Sequence, residues 1–224
     1  MPLSDRNTAA AYKILEQRIA AYQYRPGARL SPDHLTNEIR IGLTPTRTAL
    51  QWLHRDGLID HRPGQGFFVK TPSAAEIVNL YRGNIIQLEG SIAMSAANGA
   101  AQAEANDRPD IFAASWNGFT PRGDTDGLII LTETVFNDIA ALSGSDVVIR
   151  AVEALNSRLY FIRLVECEVL DGVGSELYAL HAALGEKDFA RLRDALIAYH
   201  AKRLENAMTL ADAACARALR REAA

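Results

Sequence analysis

Cysteine is scarce in this sequence, and long hydrophobic runs are absent. Two cysteines among 224 residues, Cys167 and Cys215, are too few for a disulfide framework or a cysteine-based zinc module. No apolar run approaches the ~20 residues of a transmembrane helix, and no basic-then-apolar signal peptide opens the sequence. Apolar residues make up 48% and charged residues 23%, as in ordinary globular proteins. We therefore expect a soluble, cytoplasmic protein without a membrane partner.

Charge is unevenly distributed along the chain. The net charge is -3, yet residues 1–75 carry ten Lys/Arg and six Asp/Glu, a net +4. The remainder, with 14 basic and 21 acidic residues, has a net charge of -7. This contrast indicates one part that meets a polyanion and another that does not.

Residues 1–72 carry the pattern of three helices followed by a β-hairpin. The first helix is predicted to stop at Pro26-Gly27, the second to open at Ser31-Pro32 and break at Gly42, and the third to open at Thr44-Pro45. Strand-like runs at 58–62 and 67–70 flank a turn-forming segment, 63–66. This order predicts a winged helix-turn-helix domain.

The third helix and the wing supply the candidate DNA-binding residues. A helix that enters the major groove reads bases with its first two turns. Hydroxyls there can bond phosphates or base edges, and a guanidinium can bind guanine or phosphate through two parallel bonds. The predicted contacts are Thr44, Thr46, Arg47, Thr48 and Gln51 on the helix, and Arg62, Gln65 and Gly66 at the wing tip. The alternative is a small helical domain on which these side chains are merely solvated.

Residues 73–224 show helical periodicity almost throughout, which predicts an all-α antiparallel bundle. The fold class is therefore mainly α. Apolar residues at helical spacing mark helices over 77–92, 135–142, 147–165, 177–184 and 192–204.

The N-terminal motifs resemble the GntR family of bacterial transcription regulators. The resemblance covers residues 10–72 and lies in Pro26-Gly27, Leu30 to Leu35, Thr44 to Leu50, Asp56 to Ile59 and Arg62 to Val69. Two positions depart from the family pattern: Leu43 and Asp33 stand where the family usually has arginine. Leu43 can touch a thymine methyl but cannot grip guanine. The resemblance implies a homodimer that binds a palindromic double-stranded operator.

The helices after Ser73 resemble the FCD effector domain of FadR-type GntR regulators. The similar motifs are Leu80-Tyr81 with Leu88-Glu89, Phe136 with Leu142-Ser143-Gly144, and Ala183-Leu184 with Asp188. That domain commonly holds a divalent metal through an Asp and three His. The matching positions here carry Glu133, Asn137, Leu177 and Tyr199, a poor set of metal ligands, so we expect no metal cofactor. The alternative is a rescued site that uses His181 and His200.

A ligand pocket can persist without the metal. The resemblance places Glu133 and Asn137 inward with Tyr199 opposite, and Arg158 or Arg163 can supply positive charge for a carboxylate. These five are the predicted effector-binding residues. The effector is expected to be a small organic acid or a hydroxylated metabolite. The alternative for the arginines is surface pairing with Glu153, Glu166 or Glu168.

These observations predict a ligand-responsive, DNA-binding transcription regulator, most simply a repressor. One alternative is a metal-free architectural DNA-binding dimer without a ligand. Another is an enzyme that uses a pocket of the helical domain. The sequence carries no Gly-rich phosphate loop, nucleophile elbow or His-Glu zinc motif, so we expect no catalytic residues.

Overall fold

The computed structural model describes residues 3–21, 23–98 and 125–220. They form two compact units. The N-terminal unit contains the chain up to Ser73 together with the residues from Asp212 onward, and the helical unit is Ala74–Ala211. Part of the region that the sequence assigned to the second domain, from Asp212 onward, therefore groups with the first.

Up to Ser73, the described part of the N-terminal unit consists of three helices and a small antiparallel sheet. Its elements are α1 (Leu3–Ala20), β1 (Arg29–Leu30), α2 (Pro32–Ile39), α3 (Leu43–Arg55), β2 (Ile59–Arg62) and β3 (Gly66–Val69). The strand order is β1-β3-β2, and Arg62 pairs with Gly66 across the hairpin. The predicted winged helix-turn-helix fold is confirmed. Strand β1, which was not predicted, adds a third strand beside the wing.

Helix α3 is held by one apolar face. Ala49, Leu50 and Leu53 are fully buried, and α3 packs against α1, α2 and β2. Each of the two buried leucine side chains contributes about 1.5–3 kcal/mol relative to an exposed one. The opposite face of α3 is thereby fixed in orientation and left available.

The turn between α2 and α3 differs from the prediction. Arg40, rather than Gly42, ends α2 as its C-cap, with left-handed dihedral angles of φ 56° and ψ 38°. Gly42 instead serves as the N-cap of α3, with φ -57° and ψ 157°. Helix α3 therefore begins at Leu43, one residue before the predicted opening at Thr44-Pro45, and Thr44 lies in its first turn rather than at its N-cap.

The helical unit is built from long helices joined by short connections. Its elements are α4 (Ala74–Asn98), α5 (Thr125–Ala141), α6 (Asp146–Val169), α7 (Val173–Gly185) and α8 (Phe189–Glu205). Helix α4 packs against α5, α6 and α8, while α7 packs against α5 and α8. A further helix that was not predicted, α9 (Ala207–Arg220), begins in this unit. The predicted all-α domain is confirmed.

None of the helices in the described ranges is long and apolar enough to cross a membrane.

Candidate nucleic-acid interface and buried polar cluster

The outward face of α3 carries polar side chains in its first two turns. Thr44, Arg47 and Gln51 are exposed and follow the i, i+3, i+7 spacing of one helix face. Thr48 is half-buried beside them, and its hydroxyl donates to the Thr44 carbonyl at 3.1 Å. A guanidinium, an amide and a hydroxyl thus project from the side of α3 opposite its apolar core.

Thr46 does not belong to this face. Its side chain is fully buried, and its hydroxyl lies 3.0 Å from the Gly42 carbonyl and 3.3 Å from the Ile41 carbonyl. The prediction that Thr46 contacts DNA is therefore wrong. Thr46 precedes Leu50 by four residues, so the period of the buried face was the signal that places it inward.

The wing ends in an exposed turn that glycine and proline shape. The Gln65 amide donates to the Arg62 carbonyl at 2.9 Å across Pro63 and Gly64. Proline at the second position and glycine with φ 73° at the third fit a type II turn. Arg62 and Gln65 are exposed, whereas Gly66 is half-buried. The tip can therefore approach another molecule closely.

Two arginines flank the wing strand β3. The Arg62 guanidinium lies over the Phe68 ring, with Cζ 4.3 Å from its centroid. On the other side, Arg29 pairs with Phe68 in register, and a Cβ added at Gly66 would lie 3.6 Å from Arg29 Nε. Arg29 is an additional candidate contact. The sequence prediction missed it because a two-residue strand leaves no periodic pattern.

Some arginines of the N-terminal unit are held by carboxylates and others are not. Arg18 pairs with Glu38, and Arg55 pairs with Asp56 at 3.0 Å. Among the exposed arginines that have no carboxylate partner within the described residues are Arg29, Arg40, Arg47 and Arg62. Unpaired guanidiniums on α3, on the turn before it and beside the wing make a surface suited to a polyanion.

The two departures from the family pattern both lie at the surface. Leu43 is 39% exposed at the start of α3, and Asp33 is exposed in the first turn of α2. Leu43 offers an apolar contact where a guanidinium would offer two hydrogen bonds. The exposed groups of this interface therefore differ from those of the usual family pattern.

In the helical unit, three predicted effector residues lie in one buried polar cluster. Arg163 is 1% exposed, and its Nη1 lies 3.9 Å from Glu133 Oε1. Arg163 Nη2 donates to Asn156 Oδ1 at 2.9 Å, and Asn156 Nδ2 donates to Asn137 Oδ1 at 3.0 Å. Asn156, which links the two predicted positions, was missed because a single asparagine inside a helical run gives no positional signal.

A second buried ion pair adjoins Tyr199. Arg203 Nε donates to Glu166 Oε2 at 3.0 Å, and its Nη1 also contacts Glu176. The Arg203 guanidinium lies over the Tyr199 ring, with Cζ 3.4 Å from the centroid. Phe136 connects the two pairs, because its ring contacts both Tyr199 and Arg163.

Burial dominates the protonation behaviour of this cluster. Loss of hydration raises the pKa of Glu133 and Glu166, although the neighbouring arginines oppose the rise. Burial likewise raises the pKa of Tyr199, which keeps the phenol neutral, and lowers the pKa of Arg163. For Arg203, burial opposes the charge, but Tyr199, Glu166 and Glu176 outweigh it and raise the pKa.

The structure also bears on two alternatives, the surface pairing of the arginines and the metal site rescued by His200. Arg158 pairs with Glu76 of α4 at 3.2 Å, so it joins neither the cluster nor the glutamates named for surface pairing. Surface pairing is also wrong for Arg163, which is buried. His200 is fully buried: Nδ1 lies 2.8 Å from the Leu196 carbonyl and Nε2 lies 2.9 Å from Asn84 Oδ1. Both of its nitrogens therefore already have protein partners.

Several buried polar atoms of the described helical unit lack a hydrogen-bond partner. They belong to side chains on α4, α6 and α8 that line the same interior: Tyr81 OH, Asn84 Nδ2, Arg163 Nε and Nη1, Glu166 Oε1 and Arg203 Nη2. Most of them are donors. Leaving one such atom unsatisfied costs about 1–3 kcal/mol. An interior with this excess of donors suits a bound molecule that presents acceptor oxygens.

The sequence resembles known proteins in its N-terminal domain and also over a longer stretch. Residues 7–69 match the family described as bacterial regulatory proteins, gntR family. The Nta operon transcriptional regulator of Aminobacter aminovorans is 22% identical over 146 residues, which cover 65% of this chain and 68% of that protein.

Solved structures resemble the fold over most of the chain. A transcriptional regulator GntR from Rhodococcus sp. RHA1 superposes with a TM-score of 0.68 at 22% identity, covering 92% of this chain and 98% of that one. E. coli McbR/YncC gives a TM-score of 0.59 at 18% identity, covering 90% and 96%.

The fold and the exposed basic surface define a winged helix-turn-helix DNA-binding protein. The region that matches the gntR family is the helix-turn-helix domain at the N-terminus of the chain. The matched family and the relatives are transcriptional regulators rather than enzymes.

Proposed function

We propose that this regulator binds a palindromic operator as a homodimer and represses transcription by occupying promoter DNA. The observation that carries the proposal is the set of exposed arginines without carboxylate partners on α3, the preceding turn and the wing. Thr44, Arg47 and Gln51 enter the major groove, and Arg62 with Gln65 and Gly66 follows the adjacent backbone. Two copies of this surface fit two half-sites about one helical turn apart. The protein acts in the cytoplasm.

Footprinting tests the interface directly. A duplex selected from random sequence with the parent protein is expected to show two protected half-sites. Arg47→Ala is expected to weaken binding by about 1–3 kcal/mol, roughly 5- to 150-fold, because a bidentate contact is lost. Arg55→Ala is the matched control, since it removes the same charge from the same helix at a side chain that Asp56 holds. Equal affinity of Arg47→Ala and the parent protein would disprove the assignment of α3.

The oligomeric state and the direction of regulation need separate measurements. Sedimentation is expected to give twice the chain mass of 24.5 kDa. A reporter placed behind the footprinted promoter is expected to rise when the regulator is deleted. A monomer bound to a single half-site would contradict the dimer, and a fall in reporter expression would show activation instead of repression.

A small molecule with several acceptor oxygens binds the interior of the helical unit and shifts operator affinity. The unpartnered donors of Arg163, Arg203 and Tyr81 support this step, as does the Glu133 carboxyl group beside Arg163. A ligand that favours one conformation shifts the DNA-bound population by its differential affinity. The relative named as the Nta operon transcriptional regulator suggests control of an operon as one setting for such a response.

A thermal-shift screen separates this sensor from an architectural dimer. Hydroxy acids, dicarboxylates and neutral polyols are the probes, with Arg163→Met as the variant expected to lose the response. Arg191→Ala is the control, because Arg191 is half-exposed and pairs with Glu186. A panel in which no compound shifts the parent protein would favour the dimer without a ligand.

No divalent metal takes part in this site. The residues do not fit one: the Leu177 side chain is apolar, burial keeps the Tyr199 phenol protonated, and the Arg163 cation lies 3.9 Å from the Glu133 carboxylate. Both His200 nitrogens have other partners, which weighs against the rescued site. Metal analysis of tag-free protein that found one Zn²⁺, Ni²⁺ or Mn²⁺ per chain would overturn this assignment.

A further inference from the structure

Arg40 holds a backbone conformation that arginine normally avoids. Its φ of 56° and ψ of 38° lie in the left-handed region, where a Cβ crowds the carbonyl oxygen and glycine is preferred. The chain needs this conformation to turn from α2 into α3. Glycine would make the same turn without strain, so the turn itself does not account for an arginine.

The contacts of Arg40 within the protein do not account for it either. Its side chain is exposed, and no ion pair or side-chain hydrogen bond of Arg40 occurs within the described ranges. A strained residue that persists without internal compensation points to a function outside the folded chain.

The position of Arg40 indicates that function. It lies two residues before Gly42, the N-cap of α3, and so at the entry to the helix that carries Thr44 and Arg47. No acidic residue occupies the first turn of α3 to compete for the guanidinium. Contacts that fix a helix in the groove go mainly to phosphates, and arginine is well suited to them.

We infer that Arg40 binds a phosphate of the operator backbone and sets the register of α3, at the expense of stability in the free protein. This inference rests on the DNA interface proposed above. Because the contact is to phosphate, it adds affinity for any sequence and makes binding more sensitive to salt.

Lys187 provides an internal control in the same chain. It also has φ 56°, is exposed, and follows a helix, at the turn between α7 and α8 of the helical unit. Glycine at either position removes the same backbone strain and one positive charge. Only Arg40 lies next to the proposed DNA surface.

The experiment compares Arg40→Gly, Arg40→Lys, Lys187→Gly and Arg47→Ala in the full chain. Fluorescence anisotropy with the selected duplex measures affinity between roughly 50 and 200 mM salt, and thermal unfolding measures stability. Both glycine variants are expected to raise the unfolding midpoint by roughly 2–4 °C. Arg40→Gly is expected to bind DNA roughly five- to tenfold more weakly, with a salt slope smaller by about 1. Lys187→Gly is expected to match the parent protein in both DNA measurements, and Arg40→Lys is expected to keep the slope.

Unchanged affinity and slope in Arg40→Gly would overturn the inference, and so would a lower unfolding midpoint, since arginine would then stabilise the turn. Arg47→Ala distinguishes the two levels of failure. If Arg47→Ala binds weakly while Arg40→Gly binds normally, only the role of Arg40 fails. If both bind normally, the DNA interface itself is wrongly placed.

Discussion

Two pairs of arginines, one pair in each unit, lie in opposite environments. In the N-terminal unit, Arg47 and Arg62 are exposed and have no carboxylate partner within the described ranges. In the helical unit, Arg163 and Arg203 are at most 1% exposed and lie beside glutamates. An exposed guanidinium keeps its hydration. A buried guanidinium loses several kcal/mol of hydration free energy, which its ion-pair partners must offset. Removing one partner of such a buried pair therefore costs about 3–5 kcal/mol of stability.

This difference assigns different tasks to the same side chain. Exposed arginines are available to bind a polyanion such as DNA, whose condensed counterions are released when the arginines neutralise its phosphates. Buried arginines are committed to internal partners, and their remaining N–H groups can serve only a molecule that enters the unit. Stability and DNA affinity should therefore respond to different substitutions.

Removing the buried cation should have the largest effect. Arg203→Met leaves Glu166 buried without its ion-pair partner, so the free energy of unfolding should fall by about 3–5 kcal/mol. Urea unfolding measures the loss. Arg191→Ala, which breaks the exposed 2.7 Å pair with Glu186, should cost about 0–1 kcal/mol. Similar losses in the two variants would contradict the distinction between the environments.

Acid should destabilise the helical unit through His200. Burial lowers the pKa of this imidazole from 6.5 to about 3. The unfolded chain therefore takes up a proton below pH 6.5 while the folded chain does not, and stability falls as the pH falls through this window. The loss should reach about 2 kcal/mol between pH 6.5 and pH 5, since each pH unit contributes about 1.4 kcal/mol.

Comparing the pH profiles of two variants with that of the parent protein isolates the contribution of His200 to the pH dependence of stability. Glu133 and Glu166, whose pKa values burial raises, titrate with the opposite sign in both proteins and cancel in the comparison. His200→Gln should lose the slope, whereas His34→Gln, at a side chain that is 79% exposed, should retain it. Parallel pH profiles of the parent protein and His200→Gln would refute the prediction.

Two threonines on α3 should separate stability from DNA binding. Thr46→Val removes the hydroxyl that bonds the Gly42 carbonyl and should cost about 1 kcal/mol of stability, with DNA affinity unchanged. Thr44→Val, on the exposed face, should leave stability within about 0.5 kcal/mol and weaken DNA binding severalfold. Chemical denaturation and anisotropy give the two readouts. If Thr46→Val weakened DNA binding and left stability unchanged, Thr46 would be a DNA contact after all.

Features fixed by local chemistry could be predicted from the sequence. Ala49, Leu50 and Leu53 have the spacing of a buried helix face, and Pro63-Gly64 lies in the segment predicted as the turn of the wing. Asp56-Gly57 is a helix-stop pattern directly after Arg55, and Gly57 has a φ of 77°. Each of these follows from periodicity or from a residue with a narrow conformational preference.

Features that depend on tertiary contacts could not be predicted. Arg40 takes a left-handed conformation, which is uncommon for arginine, so the sequence predicted the end of α2 at the nearby Gly42 instead. Glu166 and Arg203 are 37 residues apart on different helices, and charged residues are ordinarily predicted at the surface. Their burial becomes evident only once α6 and α8 lie in the same unit.

The smallest effect should come from the ring that supports Arg62. Phe68→Leu removes the aromatic face 4.3 Å from the guanidinium, a contact worth about 0.5–1 kcal/mol at exposed sites. Arg62 would then be less ordered at the wing, and DNA affinity should fall about two- to fivefold. Phe68→Tyr keeps the ring and should bind like the parent protein. If Phe68→Leu also binds normally, the ring does not orient Arg62 for DNA, and the wing contact depends on the charge alone.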